Sequence, residues 1–183
     1  SVHALVPRNG HQAIPHNIFS VRTTPNGAVD DVIYLQLRPC ERPGYLLLSL
    51  LTSGQEALWQ PWQHTRSGQR GEDYPRLKQA VAHRLIRQVE PITGPYDKLE
   101  LLDVYTPLSI RDWVNSPNGS AYGVMRSCRQ LLSAAVLNRT AVQGLYLAGQ
   151  NIVAPGVLGT ILGSLATIKF MIGPDRFNRE IQL

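Results

Sequence analysis

Between Arg139 and Lys169 the chain carries no formal charge, and residues 152–168 are strongly apolar. Such a segment either crosses a bilayer or packs inside a fold. Pro155-Gly156 interrupts it, leaving too few residues on either side to span about 30 Å of hydrocarbon. A short strand at 145–148, a Pro-Gly turn and a largely buried helix at 157–172 account for it instead. On that helix Gly159 and Gly163 stand four residues apart, on one face that backbone or ligand can approach closely.

Turn signals and periodicity predict the elements upstream. An extended piece at 17–22 and a strand at 32–37 flank Pro25-Asn-Gly27, a hairpin-type connection. The run Tyr45-Leu-Leu-Leu-Ser-Leu-Leu51 is nearly continuous and bounded by turns, which predicts a strand buried on both faces. Asp73 as N-cap, Pro75 in the first turn, and Leu77, Ala80, Val81, Leu85 and Val89 at helical spacing predict a helix that Pro91, Gly94 and Pro95 end. A strand follows at 99–105, then a short helix at 110–114 capped by Thr106 or Ser109, the turn Ser116-Pro-Asn-Gly119 and a loop at 120–123. The expected class is α+β, a mixed sheet with helices, within the 183 residues of one ordinary domain.

The formal net charge of +5 does not point to nucleic acid. The basic residues are mostly scattered arginines, with three lysines and no basic run. The densest group is Arg76, Lys78, His83, Arg84 and Arg87 on the predicted helix. It reads as a solvated face, or as one drawn to anionic lipid headgroups in a peripheral membrane contact. Cys40 and Cys128 have no C-x-x-C partner, which favours a reduced, cytoplasmic protein, and residues 1–18 hold no signal-peptide apolar stretch. The five histidines lack metal-ligand spacing, so no metal site is expected. There is no G-x-S-x-G, and Cys128 sits in Arg126-Ser-Cys-Arg129 without a nearby histidine.

The chemistry concentrates in Gly144-Leu-Tyr-Leu-Ala-Gly-Gln-Asn-Ile-Val-Ala-Pro-Gly-Val-Leu-Gly-Thr-Ile-Leu-Gly163. Gly149 ends the predicted strand in a tight turn or close to a ligand. Gln150 and Asn151 offer amide donors and acceptors at the strand's carboxyl end, a favoured ligand position in open α/β sheets. Pro155-Gly156 leads into a helix whose first N–H groups are unpaired and electropositive. A strand–turn–helix whose glycines serve only packing has the same spacing.

This segment resembles the C-terminal flavin-contacting motif of the phytoene desaturase family of FAD-dependent oxidoreductases, which includes carotenoid isomerases and retinol saturase-like enzymes. A second block resembles the family too: Leu102-Asp-Val-Tyr-Thr-Pro-Leu-Ser-Ile110 followed by Asn115-Ser-Pro-Asn-Gly-Ser-Ala-Tyr-Gly123. The resemblance implies an oxidoreductase acting on carbon–carbon double bonds of an apolar polyene. It implies FAD contacts from Gly149, Gln150, Asn151, Gly156, Val157, Leu158 and Gly159, and a substrate channel lined by Tyr105 and Tyr122, tyrosines that could equally be structural. The family's G-x-G-x-x-G fingerprint occurs nowhere here, and Gln150 stands where related flavoproteins often have an acidic residue. The expectation is therefore a C-terminal fragment of an FAD/NAD(P)-binding-type flavoprotein, with substrate-domain elements over 1–140 and the last strand and helix of the FAD domain over 141–183. Its partners would be the missing N-terminal dinucleotide-binding region, the apolar substrate and a second copy bound through 145–172. The isolated chain would not retain FAD tightly. The alternative reading is a non-catalytic α+β docking domain for a protein partner or a membrane surface.

Overall fold

The computed structural model describes residues 1–53, 56–122 and 138–181, arranged as two compact units, Ser1–Gly119 and Ser120–Leu183. Gly123 of the predicted loop and Cys128 lie outside the described residues.

In the first unit β1 (Val2–Pro7), β2 (Ile18–Thr23), β3 (Val29–Pro39), β4 (Tyr45–Thr52) and β5 (Glu100–Val104) form one sheet in the order β2-β3-β4-β1-β5. Every pairing is antiparallel. The α+β class stands, but the sheet is not mixed. Short turns join β2 to β3 and β3 to β4, and a parallel neighbour would need a longer crossover. At the first turn Thr24 N–H donates to Ala28 O at 2.8 Å and Gly27 takes φ 82°.

The helices are α1 (Glu56–Trp59), α2 (Asp73–Thr93) and α3 (Pro107–Val114). Helix α2 turns Tyr74, Val81, Ala82, Leu85, Ile86 and Val89 onto the sheet, where Val2, Ala4, Val6, Ile33, Leu35, Leu37, Leu46, Leu48 and Leu50 complete the core. Arg76, His83, Arg84 and Arg87 are exposed, as the charge pattern implied. Its N-cap is Glu72 rather than Asp73, and Pro91 lies inside the last turn rather than ending the helix, which stops at Gly94 with φ 88°. Proline at that depth lacks one N–H but leaves the following turn intact.

Strand β4 departs from expectation. Leu46, Leu48 and Leu50 are fully buried, while Tyr45, Leu47 and Ser49 are half-buried and Leu51 is exposed. The core cluster occupies one face of the sheet, so an apolar run here marks a strand with apolar residues on its open face as well.

Thr106 caps α3 in a capping box: its side chain accepts from Ser109 N–H, and Ser109 Oγ accepts from Thr106 N–H at 3.2 Å. The buried Thr106 hydroxyl also lies 2.6 Å from Tyr74 Oη. Thr106→Ala is expected to cost about 1–2 kcal/mol, combining a lost cap with an unpartnered buried phenol. Urea midpoints of the two proteins check this.

The second unit contains α4 (Gly156–Ile172) and α5 (Pro174–Glu180). The predicted strand at 145–148 is not formed; a single antiparallel bridge joins Tyr146 to Arg139, and Leu147 N–H donates to Asn138 O at 3.0 Å. A strand needs a continuous neighbour, and among the described residues only Asn138 and Arg139 pair with this segment. Nor is α4 largely buried: Val157 is 82% and Leu158 68% exposed, and Ile161, Leu162, Phe170 and Met171 are exposed too. It buries only Gly159, Gly163 and Thr167. No described helix is long and apolar enough to cross a membrane.

Candidate functional site

The segment that carries the predicted cofactor residues folds as a turn clamped on a helix. The Thr167 hydroxyl donates to Leu147 O at 2.7 Å and lies 3.0 Å from Gly163 O. Gly149 adopts φ 85° and opens a 3₁₀ turn over Gly149–Asn151, closed by Ile152 N–H on Gly149 O at 3.1 Å. Ile152 is buried. A methyl group added at Gly163 would stand 2.2 Å from Gly149 O, and one at Gly159 only 1.8 Å from Ala154 O. The two glycines therefore let the turn lie directly on the helix, and the closely approached face is backbone against backbone.

At the N-terminus of α4, Pro155 is the N-cap and supplies no side-chain capping bond. Gly156 takes φ 85° with nothing near its missing Cβ, so its conformation rather than its small size requires glycine. The first-turn N–H groups lack intrahelical acceptors and carry the positive end of the helix dipole. Val157 and Leu158 project beside them into solvent. Gly149, Gln150, Asn151, Gly156, Val157, Leu158 and Gly159 thus share one compact turn and helix start. An exposed apolar ledge beside uncapped N–H groups suits a flat ring with an anionic or carbonyl edge.

Tyr105 and Tyr122 belong to different units. Tyr105 follows β5 and is 46% exposed; Tyr122 is 55% exposed, and its carbonyl accepts from Ser120 Oγ. Tyr105 meets a residue that the sequence reading passed over. The His3 ring stands edge-on to Tyr105, with centroids 5.7 Å apart, and its Nδ1 is 3.1 Å from Ser49 Oγ. Burial lowers the pKa of His3, against the opposing pull of Asp103, and so favours the uncharged imidazole. Its one sequence signal is a polar residue inside the apolar strand Val2-His-Ala-Leu-Val6. Among the described residues no group of three His, Cys, Asp or Glu could hold a metal ion.

A search of known proteins finds no matching family model and no matching solved structure. It does find curated relatives. The all-trans-retinol 13,14-reductase of Danio rerio is 25% identical over 149 residues, 79% of this chain and 24% of its own length. The enzymes of the same name from Macaca fascicularis and Homo sapiens are 27% and 25% identical, each over 67% of this chain and 21% of theirs. The chain spans less than a quarter of the length of these relatives. Over most of its own length, then, it is similar to one region of the retinol saturase-like oxidoreductases, the group to which its two sequence blocks pointed.

Proposed function

We propose that the chain is the C-terminal portion of an FAD-dependent oxidoreductase of the phytoene dehydrogenase-related family, acting on a carbon–carbon double bond of a retinoid-like polyene. The observation that carries the reading is the similarity to all-trans-retinol 13,14-reductases over 79% of the chain. The cradle at the start of α4 adds to it. There Gly149, Gln150 and Asn151 would contact the ribityl–pyrophosphate part of FAD, and Val157, Leu158 and Gly159 its ring. Bound FAD supplies hydride transfer. The uncapped N–H groups of α4 favour negative charge on whatever faces them, typically by about 0.3–1 kcal/mol. Val157 and Leu158 would keep water from that edge.

Under this reading the exposed apolar side of α4 meets the dinucleotide-binding region of the longer polypeptide or, in its absence, a second copy of this chain. The free thiol of Cys40 agrees with a reducing, cytoplasmic setting, at or near a membrane that holds the substrate.

A longer protein that includes this chain is expected to purify with a flavin absorbance band and to reduce all-trans-retinol. The 183-residue chain alone is expected to lack the band, because the pyrophosphate-binding turn supplies most of the polar contacts to the dinucleotide. A flavin-free longer protein with no action on retinol would overturn the reading. Stoichiometric FAD on the short chain would overturn its fragment part.

A further inference from the structure

We infer that Asn9 is a site of self-modification: its side-chain amide reacts with the backbone nitrogen of Gly10 and loses ammonia while the chain is folded. The sequence holds three Asn-Gly pairs, Asn9-Gly10, Asn26-Gly27 and Asn118-Gly119. Each has the required chemistry, because glycine has no Cβ to hinder the approach of its nitrogen to the preceding side chain. What separates the three is the fold.

All three lie in turns, but at different places in the turn. His11 N–H donates to Arg8 O at 3.0 Å, which closes a β-turn with Asn9 and Gly10 as its two central residues. Gly10 takes φ 87°, the conformation of the second central residue of a type II turn. The peptide between the central residues is the unit whose orientation distinguishes type II from type I, so it can rotate while the closing bond stays made. Asn9 and Gly10 are exposed, and Gly10 N–H has no partner among the described residues. Arg8 N–H on Gly44 O at 2.9 Å and Ile14 N–H on Leu37 O at 2.8 Å anchor the segment on both sides, which confines the rotation to the turn.

In the other two turns the glycine nitrogen is itself the closing donor. Gly27 N–H donates to Thr24 O at 2.9 Å, and Gly119 N–H to Ser116 O at 3.1 Å. The Asn26 side chain is held as well, its Oδ1 accepting from the Thr24 hydroxyl and from Ala28 N–H at 3.4 Å. Gly119 is buried, and a methyl group added there would stand 2.1 Å from Pro107 O. Attack by either nitrogen first costs a hydrogen bond, and at Gly119 it also means leaving a packed site.

The atoms balance with water alone. Hydroxide removes the Gly10 amide proton, the nitrogen bonds to Asn9 Cγ, and the bond from Cγ to the side-chain nitrogen breaks. That nitrogen takes a proton back from water and leaves as ammonia. The cyclic imide then adds one water and opens to aspartate or isoaspartate, which puts a carboxylate next to Arg8 in the chain.

The test incubates the 183-residue chain, native and urea-unfolded, side by side in mildly alkaline buffer and follows each Asn-Gly pair by peptide mapping in a mass spectrometer. In the native chain Asn9 is expected to react about five- to tenfold faster than Asn26, the factor set by one hydrogen bond. Asn118 should be slower still, and in urea the three rates should converge. Asn9→Gln is expected to remove the fast product and leave the other two rates unchanged. Equal rates in the native chain, Asn26 or Asn118 reacting first, no loss of ammonia at Asn9, or a ranking that urea leaves unchanged would overturn the assignment.

Discussion

Gly159→Leu is expected to destabilise the second unit by about 3 kcal/mol or more, the upper range for forcing atoms into a packed site. The added Cβ would overlap Ala154 O, which belongs to backbone and has no rotamer by which to withdraw. Either the 149–154 turn lifts from α4 or the helix start unwinds. The control is Arg176→Leu, which removes an exposed i,i+4 contact to Glu180 and should leave the thermal midpoint nearly unchanged. Thermal midpoints, with hydrogen exchange at the α4 amides, compare the two. Equal effects would mean that the glycine stripe carries no packing.

Asp112→Ala is expected to cost about 3 kcal/mol, the low end for breaking a buried ion pair by removing one partner. The Asp112 side chain is 6% exposed and lies between Arg70, 7% exposed, and Arg111, 19% exposed. Arg111 Nε donates to Asp112 Oδ1 at 2.8 Å, and the same guanidinium donates to Gln63 O and Thr65 O. Arg70 also lies 4.8 Å over the Tyr74 ring. Removing the carboxylate leaves two guanidinium charges uncompensated and breaks the tie between Arg70 and α3, while Arg111 still holds Gln63 O and Thr65 O. Burial by itself would raise the Asp112 pKa, but the hydrogen bonds from Arg111 and Arg70 outweigh it and hold the carboxyl below its ordinary value. The carboxylate's contribution is therefore fully present above the unfolded pKa of about 3.9 and is lost as pH falls through the lower folded value. Urea midpoints of wild type and Asp112→Ala should differ by a constant amount between about pH 5 and 7 and converge in stronger acid. A gap that persists unchanged well below that range would mean that the carboxylate's charge is not what holds the loop.

The elements set by local chemistry were legible in the residues. Asn26-Gly27 marks the β2–β3 turn, Thr106 and Ser109 mark a helix start, and Leu77 to Val89 carry a 3.6-residue period that tertiary packing does not contest. What escaped depends on neighbours. Leu47 and Leu51 are as apolar as Leu46 and Leu48, so composition alone cannot tell which face of β4 is covered. Residues 145–148 have strand chemistry, but among the described residues their backbone pairs only with Asn138 and Arg139. Helix α4 is apolar around most of its circumference, which signals burial without naming what covers it. At the candidate site, spacing picked out the glycines because backbone contact demands them. His3 carried no motif, because its partner Ser49 is distant in sequence and meets it only through strand register.

That register also orders the assembly of the first unit in time. Strands β2, β3 and β4 follow one another as a meander and can pair through short turns, contacts that form early because little chain entropy is lost in closing them. Strand β1 sits inside the sheet, with β4 on one side and β5 on the other, and its Val2 lies opposite Val104. Residues 1–7 must therefore wait for almost the whole unit to be synthesised before both their edges are satisfied, because β5 is the last strand of the sheet in chain order. Until then the apolar segment Val2-His-Ala-Leu-Val6 is an unpaired strand in a growing chain, the kind of segment that holdase chaperones and aggregation compete for.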